Sequence, residues 1–411
     1  MILMRNQTIF SQIEKQTNQI VGALKELLCI PAIAPENGGE GESKKAEKLT
    51  RLLTTMKFDK IEYFDAEDER TPSKKRPNIV AYYAGERTDE KLWIITHLDI
   101  VPPGEDSLWT ITKPYEPVVK DGRIYGRGSE DNMQSMMASI LAVKALQDLG
   151  IKPKRTVALA FVSDEEQGSK HGIQHLIKQG IFKKTDMIIV PDSGKEDGRF
   201  IEIAEKSALW FRIRTTGKQG HASMPDKGLN AHRIGMRFAL ALDEMLHKKY
   251  SDKNTYFEPP ESTIEPTKKD KNVDAVNIMP GEDIVYFDCR ILPDYDLEEI
   301  IVNIKKLAAE FAKKTNARIE LEVLHKSVAP KPTDSEAKVV LMLRDAVKKV
   351  RGITPKIGGI GGGTCGAYFR EIDIPAVVWS TIDETAHQPN EYAKIENLVN
   401  DAKVYALLAV S

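Results

Sequence analysis

Histidines and carboxylates that could bind metal ions recur along this chain, each at the end of an apolar run or in a turn. They are His97 and Asp99 in THLDI, Asp131 in GRGSED, Glu165 and Glu166 in SDEEQGS, Asp192 in VPDSG, and His387 in ETAHQPNEY. Imidazole and carboxylate groups suit zinc, and a shared carboxylate can hold two ions roughly 3.5–4 Å apart. The residue types and their spacing therefore predict a hydrolytic site that uses two metal ions.

Taken one at a time, these residues have simpler interpretations. Glu165 and Glu166 could lie in a solvated loop, and Asp131 could cap the helix that follows it. Asp192 could be an ordinary turn residue, and His387 an ordinary surface histidine. Only the combination of these residues favours a metal site.

His97 and Asp99 are separated by one residue at the end of a predicted strand. Side chains two positions apart on a strand face the same way, so Asp99 can lie behind His97 and fix its tautomer. The alternative is a strand-end histidine that is hydrogen bonded to a nearby acid and binds no metal.

The apolar pattern predicts an α/β fold. Helical spacing occurs at 7–28, 43–56 and 134–149, and short apolar strands occur at 78–83, 92–96, 157–162 and 187–190. Unbroken apolar strands that alternate with helices indicate a mostly parallel sheet covered on both faces. His97, Glu165 and Asp192 each follow one of these strands, at the carboxyl end where open α/β sheets bind ligands.

The pattern changes near Ser207. Strands at 209–216, 276–278, 284–291 and 319–324 and helices at 230–247 and 297–314 follow in the order β-α-β-β-α-β, with a loop predicted at 257–271. This is the order of a ferredoxin-like layer, and a helix at 339–350 and a strand at 376–379 then resume the first pattern. We therefore expect a catalytic domain formed by residues 1–206 and 326–411, with a ferredoxin-like α+β domain inserted at 207–325.

The composition excludes several classes of protein. A length of 411 residues favours two domains, and a net charge of −2 lacks the basic footprint of a nucleic-acid-binding protein. No segment approaches the roughly 18 apolar residues of a membrane span, and the N-terminus lacks the apolar core of a signal peptide. Cys29, Cys289 and Cys365 are too few and too far apart for a disulfide framework. We predict a cytoplasmic protein without nucleic-acid or membrane partners.

Nearly the whole chain resembles the co-catalytic zinc peptidases and deacylases, which include aminoacylase, acetylornithine deacetylase, succinyl-diaminopimelate desuccinylase and carboxypeptidase G. The matching segments, in the family's order, are ITHLDIVPPG, Trp109, DGRIYGRG, Asp131, DEEQGS, GHASMP, VNIMPG, DCRILP, GGGT and AHQPNEY. The resemblance implies a zinc-peptidase-like catalytic domain, and it implies that the inserted domain is a lid that also forms a dimer.

The resemblance also implies a role for each candidate ligand. The implied ligands are His97 and Asp192 for one zinc ion, Glu166 and His387 for the other, and Asp131 as the bridge between them. Asp99 would orient His97. Glu165 would be the general base that takes a proton from a bridging water, whose pKa the metals lower toward roughly 7. Cobalt or manganese could replace zinc in such a site.

Further residues are implied to contact the substrate. His221, in GKQGHASMP, would cross a dimer interface and polarise the scissile carbonyl in the neighbouring subunit. Arg290 would bind the substrate carboxylate, and Asn277, Gly363 and Thr364 would add hydrogen bonds to it. From the residues alone, a hydrogen-bonded turn histidine and a structural salt bridge remain alternatives for His221 and Arg290.

These observations predict a homodimeric two-zinc amidohydrolase that cleaves an N-acyl amino acid bearing a free carboxylate, by a metal-bridging hydroxide. A dipeptidase or carboxypeptidase acting on small peptides is the main alternative. A metal-binding scaffold without catalysis would not need Glu165 beside a ligand, and a glycosidase using two carboxylates would leave His97 and His387 without a role. Cys365 is interpreted as part of the pocket wall.

Overall fold

The computed structural model describes residues 2–411, which divide into two units. The first unit contains the residues up to Ile203, Pro332–Ile357 and Thr364–Ser411, and the second contains Ala204–Lys331 and Gly358–Gly363. The predicted insertion, 207–325, falls within the second unit. Residues 358–363, which the sequence-based division places with the catalytic domain, also belong to the second unit, because Gly359 pairs there with Phe257 in a parallel bridge.

The helices are α1 (Ile2–Leu28), α2 (Ser43–Thr54), α3 (Ser135–Asp148), α4 (Ile173–Lys178), α5 (Ala231–Lys249), α6 (Leu297–Thr315), α7 (Lys338–Arg351), α8 (Gly366–Glu371) and α9 (Ile395–Val410). All the predicted helices are confirmed with small changes at their ends. Helix α9 was not predicted, because most of its side chains are buried and it lacks the polar face that produces helical periodicity. Within the described part of the chain, no helix has the length and apolarity that crossing a membrane requires.

The strands are β1 (Lys60–Tyr63), β2 (Ala66–Glu67), β3 (Lys75–Arg76), β4 (Ile79–Tyr83), β5 (Arg87–His97), β6 (Val118–Lys120), β7 (Arg123–Tyr125), β8 (Arg155–Val162), β9 (Met187–Gly194), β10 (Phe200–Glu205), β11 (Ser207–Thr216), β12 (Gly220–His221), β13 (Phe257–Glu258), β14 (Thr263–Lys269), β15 (Ile278–Met279), β16 (Glu282–Ile291), β17 (Arg318–Ser327), β18 (Lys356–Ile360), β19 (Ala376–Ser380) and β20 (Tyr392–Lys394).

The main sheet of the first unit has the strand order β1-β4-β8-β5-β9-β19-β10. Its central neighbours β8/β5, β5/β9 and β9/β19 are parallel, whereas β1/β4, β4/β8 and β19/β10 are antiparallel. Every residue of β8 is buried, as expected for a strand covered on both faces. The prediction of an α/β fold is confirmed, with parallel pairing at the centre of the sheet, where the carboxyl ends of β8, β5 and β9 lie side by side.

The second unit contains an antiparallel sheet with the strand order β14-β16-β11-β17. Helices α5 and α6 supply Phe238, Leu242, Ile300 and Ile304 to a core that they share with this sheet. The chain order is β11, α5, β14, β16, α6, β17, which is the split β-α-β order predicted for this segment.

The predicted identity of one strand in this sheet is wrong. The second strand is β14, within the segment predicted as a loop, whereas Ile278 belongs to β15 and pairs with His221 of β12. In β14 only Ile264 is buried, and the ladder is irregular after Pro266. An edge strand with a single buried side chain and a proline lacks the alternation by which strands are recognised.

Candidate metal centre

Three neighbouring strands bring candidate ligands to one edge of the main sheet. His97 is the last residue of β5, Glu165 and Glu166 follow β8, and Asp192 lies in β9. Because these strands are parallel neighbours, their carboxyl ends meet. The ligand atoms of His97, Glu165 and Asp192 lie within 4.8 Å of one another, and so do those of His97, Asp131 and Glu166.

Asp131 lies between the two histidines. Its Oδ1 is 2.9 Å from Nε2 of His97, and its Oδ2 is 3.0 Å from Nε2 of His387. Nε2 of His97 is also 3.3 Å from Oδ1 of Asp192, and Nε2 of His387 is 3.2 Å from Oε1 of Glu166. Asp131 thus presents one oxygen to each of two groups, as a carboxylate shared by two ions would.

The simpler interpretations of Asp131 and Asp192 are wrong. Helix α3 begins at Ser135 with Gln134 in its N-cap position, so Asp131 lies too early in the chain to cap it. Asp192 belongs to strand β9, which continues to Gly194 past the predicted strand end. Neither carboxylate is therefore explained by local backbone structure.

Asp99 contacts both His97 and the glutamate pair. Nδ1 of His97 lies 2.9 Å from the carbonyl oxygen of Asp99 and 3.6 Å from its Oδ1. The carboxylate of Asp99 accepts hydrogen bonds from the backbone N–H groups of Glu165 and Glu166 at 3.1 and 3.0 Å. A carbonyl oxygen only accepts, so Nδ1 carries the hydrogen in this contact, and Nε2 is the nitrogen that can bind a cation.

Glu165 differs from Glu166 in its surroundings. Oε1 of Glu165 lies 3.6 Å from Sγ of Cys365, which is itself 3.1 Å from Oγ of Ser169. Burial and the negative charge of Asp192 raise the pKa of Glu165 well above its ordinary value. Cys365 therefore lies directly beside the carboxylate that the family resemblance implies as a general base.

The electrostatics of the cluster fit a divalent cation. Burial raises the pKa of Glu166 to about 7, and hydrogen bonds to Asp131 and Glu166 raise the pKa of His387 to about 10. The raised pKa values mean that Glu166 and His387 bind protons more tightly than usual, because a bound proton reduces the repulsion among the neighbouring carboxylates. A divalent cation would replace these protons, because metal ligands bind in their deprotonated forms. The imidazole nitrogens and carboxylate oxygens are donors that divalent transition metals accept.

The predicted substrate-binding residues lie mainly in the second unit. His221 and Asn277 are neighbours there, because β12 pairs with β15 and the carbonyl of Asn277 accepts a hydrogen bond from Ala222 N at 2.9 Å. Arg290 donates to Asp288 at 2.7 and 3.2 Å and to the carbonyl of Gly361 at 3.4 Å. Gly363 ends the second unit, whereas Thr364 begins the last segment of the first unit.

The sequence did not reveal the residues that hold the ligand-bearing loops. Nη1 of the buried Arg76 lies 3.3 Å from Oδ1 of Asp164, which precedes the glutamate pair. Asp164 also accepts the backbone N–H of His171 at 2.8 Å. Glu130 and Glu391 are buried acids within GRGSED and AHQPNEY, and each contacts the segment that carries the other. Their positions in these two motifs could have drawn attention to them, but the donors that each glutamate binds lie in the other motif, far away in the sequence.

The fold and this cluster of side chains define a candidate metallohydrolase. The sequence profile of peptidase family M20/M25/M40 matches residues 93–411, which include every candidate ligand. The chain therefore belongs to peptidase family M20/M25/M40 and is a metallohydrolase of that family. The predicted resemblance to metal-dependent peptidases and deacylases is confirmed.

Individual relatives span the chain. An uncharacterised metallohydrolase of Methanocaldococcus jannaschii is 42% identical over 402 residues, covering 92% of this chain and 96% of that protein. A succinyl-diaminopimelate desuccinylase of Pelagibacter ubique is 26% identical over 390 residues, covering 93% and 96%.

Solved structures share the fold. A tripeptidase from Staphylococcus aureus has a TM-score of 0.74 at 20% identity, covering 96% of this chain and 97% of that one. A dinuclear metal-binding peptidase of the M20 family from Bacillus subtilis has a TM-score of 0.67 at 16% identity, covering 96% and 98%.

Proposed function

We propose that this chain is a two-metal amidohydrolase that removes the acyl group from an N-acyl amino acid bearing a free carboxylate, as a deacetylase or desuccinylase does. The observation that carries the proposal is the position of Asp131 between two histidines, each of which faces a second carboxylate, with Glu165 next to them. The similarity to desuccinylases across the chain supports an acylated amino acid as the substrate.

The proposed ligands are His97 and Asp192 for one ion, Glu166 and His387 for the other, and Asp131 for both. We propose zinc, with cobalt or manganese as substitutes, because these metals accept imidazole and carboxylate donors. Two bound ions supply Lewis acidity and lower the pKa of water toward roughly 7.

Glu165 acts as the general base in this proposal. It takes a proton from the attacking water and later delivers that proton to the nitrogen of the leaving amine, a shuttle that one positioned carboxylate can perform. Asp99 keeps the base in place, since its carboxylate accepts the backbone N–H groups of Glu165 and Glu166.

The substrate carboxylate is proposed to bind Arg290, with hydrogen bonds from Asn277, Gly363 and Thr364. Asp288 occupies the Nε and Nη2 side of the Arg290 guanidinium, so the substrate carboxylate is proposed to bind at the Nη1 and Nη2 side. His221 is proposed to polarise the scissile carbonyl of a substrate bound in the partner subunit. The two subunits would form a homodimer through a lid at 207–325. The protein is proposed to be cytoplasmic.

A substrate panel tests this proposal. Initial rates are measured for zinc-loaded protein with N-acetyl and N-succinyl amino acids and with dipeptides of matched side chains, before and after chelation. We expect turnover of the acylated amino acids that chelation abolishes. Turnover of dipeptides alone would favour the alternative function, a dipeptidase or carboxypeptidase, whereas turnover that survives chelation would contradict metal-dependent hydrolysis.

A further inference from the structure

Two buried glutamates cross-connect the loops that carry Asp131 and His387. Glu130 immediately precedes Asp131, and Glu391 follows His387 by four residues. The side chain of each glutamate is bonded to the segment that carries the other. This reciprocal arrangement is here called the glutamate clasp, and it consists of Glu130 and Glu391.

Glu391 organises the segment that leads to Asp131. Its Oε1 accepts the backbone N–H groups of Glu130 and Asp131 at 2.9 and 3.1 Å. Its Oε2 accepts the N–H of Gly128 at 2.9 Å and Nη1 of Arg127 at 2.6 Å. One side chain thus anchors four donors along the turn that carries the shared carboxylate.

Glu130 organises the segment that leads to His387. Its Oε1 accepts the N–H of Asp383 at 2.5 Å, and its Oε2 accepts the N–H of Ala386 and the hydroxyl of Thr385, both at 2.9 Å. The backbone N–H of Thr385 also donates to Oε2. Ala386, whose N–H is one of these donors, is the residue directly before His387.

Both glutamates are almost fully buried, at 3% exposure for Glu130 and 1% for Glu391. A buried carboxylate is costly unless several donors satisfy it, and here each receives four. Groups that fix the orientation of metal ligands typically change metal affinity by roughly 10- to 100-fold when they are removed.

We infer that Glu130 and Glu391 are positioning residues for the metal centre, acting through His387 and Asp131 respectively. The inference rests on the proposed ligand set. It predicts an asymmetry: loss of Glu391 disturbs the carboxylate shared by both ions, whereas loss of Glu130 disturbs only the ion bound by Glu166 and His387.

Zinc binding to the full-length, chelator-stripped protein tests the inference without any substrate. Zinc affinity and stoichiometry are measured by competition with a chromophoric chelator for wild type, Glu391→Gln and Glu130→Gln. We expect Glu391→Gln to weaken both binding steps by about 10- to 100-fold, and Glu130→Gln to weaken one step by a similar factor. The Co²⁺ absorption spectrum should change in both variants.

Asp186→Asn is the matched control. Asp186 is a buried carboxylate of the same unit that accepts hydrogen bonds from Lys91 N, Trp93 Nε1 and Lys183 N, but it precedes β9 at the opposite end of the strand from Asp192. It should lower stability and leave zinc affinity at the wild-type value. A loss of affinity equal to that of the clasp variants would mean that destabilisation alone explains them, and would overturn the inference.

Thr385→Ala covers the case in which a glutamine variant does not fold. It removes the hydroxyl donor to Glu130 and leaves both glutamates in place, so we expect a smaller weakening of one binding step only. Wild-type affinities in every folded clasp variant would overturn the inference. Wild-type protein that binds two zinc ions and hydrolyses no amide would contradict the proposed function and leave the inference intact.

Discussion

Adjacent glutamates can have different roles when their environments differ. Oε1 of Glu166 lies 3.2 Å from Nε2 of His387. Oε1 of Glu165 instead lies 3.6 Å from Sγ of Cys365, and its carboxylate is close to the ligand atoms of His97 and Asp192. We propose that Glu166 binds metal and that Glu165 transfers the proton. The ligand atoms of Glu165, His97 and Asp192 lie within 4.8 Å of one another, so the alternative that Glu165 is itself a metal ligand needs a direct test.

Replacement of Glu165 by glutamine should separate the two roles. Glu165→Gln keeps the size of the side chain but cannot accept a proton, so we expect kcat to fall by about 10²- to 10⁴-fold with both metals retained. Metal content by elemental analysis and kcat on the preferred substrate are the measurements. Glu166→Gln is the comparison and should lose metal. Loss of metal from Glu165→Gln as well would show that Glu165 is a ligand.

At the level of single residues, the sequence indicates the side chains that can bind metal directly. His97, Asp131, Glu166, Asp192 and His387 were identified as a set, and the structure brings them together. Asp99 was predicted to orient His97, but Glu130 and Glu391 were not predicted, because a buried glutamate is recognisable as a positioning group only when its donors are known. The partners of Glu391 lie about 260 residues away in the chain.

At the level of elements, helix α2 begins among buried charged groups. Glu42, directly before α2, pairs with Arg76 in a contact that is buried on both sides. Lys45, in the first turn of α2, is also buried. Burial lowers the pKa of Lys45 to about 8, although the negative charges of Asp99, Glu42 and Glu391 partly oppose that shift.

This lysine should give the stability of the protein a distinctive pH dependence. Below about pH 8 Lys45 is charged in both states, and the cost of burying the ammonium is fully present. Between about 8 and the ordinary value near 10.4, the unfolded chain binds more protons, so stability rises with pH. Relative to Lys45→Met, wild type should gain on the order of 2 kcal/mol between about pH 7.5 and about pH 9.5.

Urea unfolding of metal-free protein measures this difference at each pH. Lys44→Met is the control, since Lys44 lies one residue earlier in α2 and is exposed, with its pKa raised by the hydrogen bond and charge of Glu40. Relative to Lys44→Met, wild type should show no such gain in the free energy of unfolding over the same pH range. Parallel stability profiles for wild type and Lys45→Met would contradict the shifted pKa.

Element prediction succeeded where the sequence shows either an unbroken apolar run of strand length or one apolar face at helical spacing. Strands β5, β8 and β9 were found because they read as apolar runs, and α5 and α6 because one face of each is apolar. Prediction failed for β14 and α9, which bury too little and too much of their surface to leave a period. A period is visible only when one face of an element is buried and the other exposed.

At the scale of the whole molecule, the two units divide the proposed chemistry. The candidate ligands all belong to the first unit, whereas His221, Asn277 and Arg290 belong to the second. A change from apolar strands to alternating ones in the sequence predicts the insertion of one domain into another. The membership of residues 358–363 was not visible, because it depends on a short parallel bridge between distant segments.

A mixture of two inactive variants tests whether the second unit acts across a homodimer. His221→Ala and Glu165→Ala protomers are combined under conditions that allow subunit exchange. If His221 acts in the partner's site, each mixed dimer has one intact site out of two. In an equal mixture about half of the dimers are mixed, so about a quarter of wild-type activity should return. Absence of recovery, with both variants folded, dimeric and inactive alone, would contradict action in trans.

We propose that Asp131 is shared by two metal ions, one bound with His97 and Asp192 and the other with Glu166 and His387. Anomalous diffraction from a zinc-soaked crystal, recorded above and below the zinc absorption edge, tests it most directly. We expect two peaks per chain, each within about 2.0–2.2 Å of its proposed ligand atoms and both adjacent to Asp131. A single peak, or peaks bound by other side chains, would contradict it.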